Sequence, residues 1–155
     1  MLMAACQSQL RTRLLSGDAL SDAMASVNAD LYQRSESSKF VTLVAGVVDP
    51  ARGRVELADA GHGLAVHVPG TGTPARVETD PGFPLGVVET AEYEVHELSM
   101  QPGASLVLFS DGAVEQMDAD GKQHGLDGVL ACLSGDLGRD FLVQRLSETG
   151  RAYAA

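Results

Sequence analysis

Asp111 is the residue of this chain best placed to do chemistry. It follows the apolar run Leu106-Val107-Leu108-Phe109-Ser110 and precedes Gly112, so a strand would end where the backbone can turn sharply and a carboxylate emerges. That position suits a ligand to a hard divalent cation. From Asp-Gly alone, a turn or cap aspartate is the better-supported reading. Glu115, Asp118 and Asp120 follow closely. The run Asp118-Ala119-Asp120-Gly121 begins like a calcium loop, but the twelfth position of such a loop would be Val129 where a Glu is needed. A solvated hairpin turn fits it better.

Ala60-Gly61-His62-Gly63 sets a histidine in a glycine-flanked loop directly after a strand-like run, where the backbone has unusual freedom. His67, His96 and His124 do not stand at metal-ligand spacing from His62, which argues against a zinc site. Neither Ser105 nor Ser110 lies in a nucleophile-elbow sequence, so no catalytic nucleophile or base is assigned. Gly82-Phe83-Pro84-Leu85-Gly86 is bounded by glycines but precedes no helical pattern, which gives little support for a phosphate-cradling loop.

The elements that would hold these residues follow from periodicity. Leu2, Cys6, Leu10 and Leu14 recur at four-residue steps, and Leu20, Ala23, Met24, Val27 and Leu31 continue a helical spacing after the break Ser16-Gly17-Asp18. These predict a helical hairpin over 2–33, with Asp18 able to cap its second helix and the polar run 34–38 ending it. The first helix carries apolar residues from its first position with no capping residue before them, as if entered in mid-helix. From Phe40 the period changes. Residues 40–48 read as a strand apolar on both faces, turned by Asp49-Pro50-Ala51-Arg52-Gly53 into a hairpin with 54–58. Further strands are expected at 64–68, 75–78, 92–98 and 104–110, so that antiparallel hairpins dominate 40–112. Helical spacing returns at 126–153, through Asp127 to Leu133 and then Phe141, Leu142, Leu146 and Tyr153. Helices, then strands, then helices indicate an α+β layered domain.

Composition narrows the partners. The 155 residues suffice for one domain that buries roughly 68–70% of its unfolded surface. A formal net charge of -10, with 11 basic residues, removes the basic face that a nucleic acid or anionic membrane surface requires. No apolar run approaches the ~20 residues that span a bilayer, and the first residues lack the basic flank of a secretory signal. Cys6 and Cys132 lie far apart in helix-like patterns and read as reduced core thiols, which suits a cytoplasmic setting.

Taken in order, Phe40-Val41-Thr42-Leu43, Gly46, Asp49-Pro50, Gly53, Ala60-Gly61-His62, Pro84-Leu85-Gly86, Pro102-Gly103, Ser110-Asp111-Gly112, Glu115 and Gly125 resemble the stage II sporulation protein E type of metal-dependent (PPM, type 2C-like) Ser/Thr protein phosphatase. The resemblance runs from about Leu2 to Tyr153. It implies a single partial domain over 1–155 with a four-layer α-β-β-α sandwich of antiparallel sheets flanked by helices. It also implies two Mn²⁺ or Mg²⁺ ions that activate a water for direct hydrolysis of phosphoserine or phosphothreonine.

On that resemblance Asp111 matches a metal-binding aspartate, while Gly61, His62 and Gly112 fall in loops of the active-site edge. The family's other ligands come from an Asp-x-x-Gly-His-Gly stretch before the first helix and an Asp near a C-terminal strand. Neither stretch occurs in this sequence, so the domain is expected to be incomplete at both termini, to hold no metal firmly and to be inactive alone. Asp59 stands where the family often has Asn, and Gly63-Leu64 replaces a Pro-containing sequence. The implied substrate is a phosphoprotein of the anti-sigma-factor antagonist type, with a sensor or regulatory domain in the parent chain. The alternative is a non-catalytic partner-binding module that docks through the helical hairpin. Open sheet edges would also allow a homo-oligomer.

Overall fold

A computed structural model describes residues 2–34, 39–134 and 142–153, apart from the side chains of 151 and 152. Helix α1, Leu2–Leu15, buries Cys6 and Leu10, two members of the expected four-residue series. It ends at Ser16 and Gly17, where Gly17 takes φ 95° and the Ser16 N–H still reaches the Thr12 carbonyl at 3.0 Å. Asp18 does not cap the next helix. Its carboxylate pairs with Arg13 at 3.3 Å, and the Ala19 carbonyl accepts the first helical N–H from Ala23 at 2.9 Å. Helix α2, Leu20–Arg34, buries Leu20, Ala23, Met24, Val27 and Leu31, with Asn28 among them. Each large apolar side chain of that face contributes about 1.5–3 kcal/mol over leaving it exposed.

The described residues form two compact units, each with one three-stranded antiparallel sheet and two helices. The first comprises 1–63 and 78–99 and contains α1, α2, β1 (Leu43–Asp49), β2 (Arg54–Ala60) and β5 (Val95–Ser99), with β2 in the middle. Ala58 and Ala60 on one face of β2, with Ala45 of β1, join the core formed by α1 and α2. Their small side chains let the helices lie close to the sheet. The β1–β2 hairpin sits in the expected register, Leu43 opposite Ala60 and Asp49 opposite Arg54. Asp49 fixes the turn by accepting from the Arg52 backbone N–H at 3.1 Å.

β1 departs from the expected strand in two ways. It begins at Leu43, Val41 making only an isolated pairing with Leu85, and it is not apolar-buried on both faces: Val47 and Val48 are 38% and 64% exposed. The physical reason is its place at the flank of its sheet, where β-branched residues satisfy strand geometry without burial.

The second unit comprises 64–77 and 100–155 and contains β3 (Ala65–Val68), β4 (Ala75–Arg76), β6 (Ser105–Leu108), a 3₁₀ turn at Asp111–Ala113, α3 (Gly125–Leu133) and α4 (Leu142–Tyr153). Its order is β4-β3-β6, and Val66, Val129, Leu133 and Leu142 make its core. The expected strand at 75–78 contracts to two residues. Phe141 and the polar residues 35–38 lie outside the described residues. Two of the four strand pairings are hairpins, β1–β2 and β3–β4; the other two, β2–β5 and β3–β6, are long-range, which the local turn signals do not encode. The architecture is α+β with four helices and two small antiparallel sheets, as expected. Among the described residues no helix is long and apolar enough to cross a membrane.

Candidate functional site

Asp111 lies in the second unit, two residues beyond the Phe109 N–H bond to the Leu64 carbonyl at 3.3 Å. Ser110 is extended (φ -95°, ψ 168°), and the chain then folds into the 3₁₀ turn. The Val114 and Glu115 N–H groups both donate to the Asp111 carbonyl at 2.9 Å, which fixes the backbone and leaves the side chain outside the turn. Asp111 is exposed, and among the described residues its carboxylate takes no hydrogen bond or ion pair. It is available to a ligand. Gly112 has room for a side chain, since an added Cβ would meet only the Ser110 Oγ at 3.8 Å.

The segment after the turn closes on itself. Asp118 Oδ1 accepts from the Asp120 and Lys122 N–H groups at 3.0 and 2.9 Å, and Met117 pairs with Gln123. The acidic run is thus the hairpin turn expected from sequence. Its base is anchored to the Asp111 turn by three bonds: His124 N–H to Gln116 carbonyl at 2.7 Å, Gly125 N–H to Val114 carbonyl at 2.8 Å, and His124 Nδ1 to the Ala113 carbonyl at 3.2 Å.

Gly61 and His62 belong to the first unit. Gly61 and Gly63 take φ 76° and 68°, conformations that favour glycine, so the chain reverses sharply after β2. Asp59 holds that reversal. It is 1% exposed, and its carboxylate accepts from the His62 N–H (2.7 Å), the Gly63 N–H (2.9 Å) and the Thr79 hydroxyl (2.9 Å). A carboxylate supplies enough lone pairs for three donors, whereas an amide in its place would offer one oxygen and turn an N–H₂ toward the others.

The neighbouring loop is held as firmly. Asn28 of α2 donates to the Val88 carbonyl at 3.0 Å and accepts from the Gly86 N–H at 2.9 Å, and Val41 and Leu85 exchange backbone bonds at 3.0 and 2.8 Å. Tyr93 donates its hydroxyl to the Phe83 carbonyl at 3.0 Å, and burial pushes its pKa up to about 12.

The sequence-derived site residues therefore fall in both units: Gly61 and His62 with the first, Asp111 and Gly112 with the second. Among the described residues no group of three or more His, Cys, Asp and Glu side chains could hold a metal ion. These residues do not fit a metal pair, so no hydrolytic step is derived through one. Sequence reasoning noted Asp59 only as a departure from a family pattern; no turn signal marked its role, since its donors lie three, four and twenty residues on. Asn28, an amide among apolar helix positions, was passed over entirely.

The profile of the family described as stage II sporulation protein E (SpoIIE) matches residues 1–152. No curated protein sequence matches. Among solved structures, the RsbU and RsbW domains of Rv1364c from Mycobacterium tuberculosis superpose with a TM-score of 0.77 at 22% identity, covering 98% of this chain and 43% of that one. The PP2C phosphatase domain of SpoIIE from Bacillus subtilis, solved with a fragment of its regulatory domain, gives 0.76 at 19% identity over 96% of this chain and 44% of that one. The Mn-presoaked phosphatase domain of the same Bacillus subtilis protein gives 0.54 at 19% identity over 93% and 65%. At these identities the structures establish a shared fold, and the chain spans less than half the length of the first two. With the profile matched across nearly its whole length, this chain belongs to the stage II sporulation protein E (SpoIIE) family.

Proposed function

We propose that this chain is part of a metal-dependent phosphatase domain that hydrolyses phosphoserine or phosphothreonine on a protein of the anti-sigma-factor antagonist type, in the cytoplasm. Asp111 is its contribution to the metal site. The observation that carries this reading is the exposed Asp111 carboxylate at the end of the β6 segment, held by its own backbone turn and with no protein partner among the described residues. Two Mn²⁺ or Mg²⁺ ions would activate the attacking water in the complete domain. What the described residues do is narrower: they aim one carboxylate and, separately, hold the Gly61-His62 loop in a fixed reversal through Asp59.

A metal pair needs several anionic ligands, and Asp111 alone is one. The 155-residue chain by itself is accordingly proposed to bind Mn²⁺ weakly and to lack measurable phosphatase activity. Sensor or regulatory domains of the parent chain, joined at the helical hairpin, would control the site. The test is phosphopeptide hydrolysis in millimolar Mn²⁺ by the parent protein and by this chain, each with and without Asp111→Asn. The parent protein should lose at least ~100-fold, since changes outside the ligand shell alone cost 10–100-fold. Robust hydrolysis by the isolated chain, abolished by Asp111→Asn, would overturn the assignment of inactivity. The lack of a ligand cluster among the described residues favours a second reading, a non-catalytic binding module. A parent protein without Mn²⁺-dependent hydrolysis would select it.

A further inference from the structure

His124 and Cys132 stand two helical turns apart, the first at the N-terminal boundary of α3 and the second near its end. The Cys132 Sγ lies 3.8 Å from His124 Nε2, while His124 Nδ1 lies 3.2 Å from the Ala113 carbonyl oxygen. A carbonyl can only accept, so Nδ1 carries the proton and Nε2 presents a lone pair to the thiol. A nucleophile, a base and a group orienting the base are thereby in line, the arrangement that activates cysteine. Gly128, midway between them, makes room for the ring: a Cβ there would crowd the His124 imidazole. The Tyr153 ring packs against the imidazole at a tilt of 52°, with ring centroids 4.8 Å apart.

A cavity of about 710 Å³ opens beside the pair, lined by His124, Cys132, Tyr153 and Thr149, with Lys122 and Arg145 among its polar walls. Cys132 is 6% exposed, so this cavity is its route to solvent. Its volume is that of a small-molecule site, and two of the chain's 11 basic residues line it in a protein of net charge -10.

We propose that Cys132 is a thiol–disulfide exchange site, activated by His124, for an anionic low-molecular-weight disulfide. The thiol proton passes to His124 Nε2 and Sγ bonds to one sulfur of the reagent. The reagent's own S–S bond breaks, and the departing thiolate takes the proton from His124 to leave as a free thiol. The product is a mixed disulfide on Cys132, and a reducing thiol reverses it. This rests on the second unit alone and stands apart from the phosphatase reading.

The experiment has a built-in reference. Cys6 on α1 is also buried, and burial raises its thiol pKa, which lowers its reactive fraction. The 155-residue chain is incubated with glutathione disulfide, and the glutathionylated fraction at Cys6 and Cys132 is followed by peptide mass spectrometry. Cys132 is expected to react at least ~10-fold faster than Cys6. His124→Gln and, independently, Gly128→Ala should each slow Cys132 by about the same factor while leaving Cys6 unchanged. Equal rates at the two cysteines of the unsubstituted chain overturn the proposal whatever the variants do. So does a Cys132 rate indifferent to both substitutions.

Discussion

Asp59 in one unit and Asp111 in the other both stand where a strand gives way to a glycine turn, yet their surroundings are opposite. Asp59 is 1% exposed with three donors on its carboxylate; Asp111 is exposed with none among the described residues. The first side chain is consumed in building its own loop, and the second is left over once the backbone has made its turn. An Asp followed by a nearby Gly therefore says where the chain turns, and burial decides whether the carboxylate is structure or is free for a ligand.

That contrast can be broken most directly at Asp59. Asp59→Ala removes the carboxylate that accepts from the His62 and Gly63 N–H groups and the Thr79 hydroxyl and should cost about 3–5 kcal/mol in urea unfolding, given ~1–3 kcal/mol per buried hydrogen-bonding group that loses its partner. A cost under 1 kcal/mol would show that water satisfies this loop as it does the Asp111 turn. Asn28→Leu removes the bonds to Val88 and Gly86 and should cost about 2–4 kcal/mol by the same accounting. Gly86→Ala sharpens the point sterically: at φ 87°, with an added Cβ 2.9 Å from Leu31 Cγ, it should lose about 1–3 kcal/mol.

Tyr93 gives the same unit a signature in pH. Its folded pKa of about 12 exceeds the ordinary value near 10, so the native state holds a proton that the unfolded chain releases. The contribution is complete below pH 10 and is lost as pH rises toward 12; Tyr93→Phe should flatten that fall in a denaturation series. The smallest effect is expected at Asp111→Asn, within about 0.5 kcal/mol of the parent stability. Substantial destabilisation there would mean that the carboxylate is structural after all.

The helices were legible because their periodicity is local: Cys6, Leu10, Met24, Val27 and Leu31 are buried where the four-residue spacing puts them. The Asp49–Arg52 turn and the Asp118–Lys122 turn were legible for the same reason. The β2–β5 and β3–β6 pairings were not, since no turn residue marks a partner so far along the chain. Nor was the exposure of Val48, because β-branched residues report strand geometry and not which flank of a sheet they occupy. Within the candidate site, Asp111 could be located from its strand and glycine. Asp59, Asn28 and the His124–Cys132 pair could not, because what each does depends on backbone groups or helix turns brought near by folding.

Neither unit is a continuous stretch of chain, and synthesis from the N-terminus must contend with that. When Gly63 emerges, the first sheet has only the β1–β2 hairpin, which forms within about 1–10 μs and then waits for β5. Before β5 arrives, β3 and β4 have begun a second sheet that cannot finish until β6 appears. The closing strands β5 and β6 are consecutive in sequence, so both sheets become complete almost together. A nascent chain paused between Arg76 and Val95 carries two unfinished sheets with open edges, the interval in which pairing with a neighbouring chain competes best with folding.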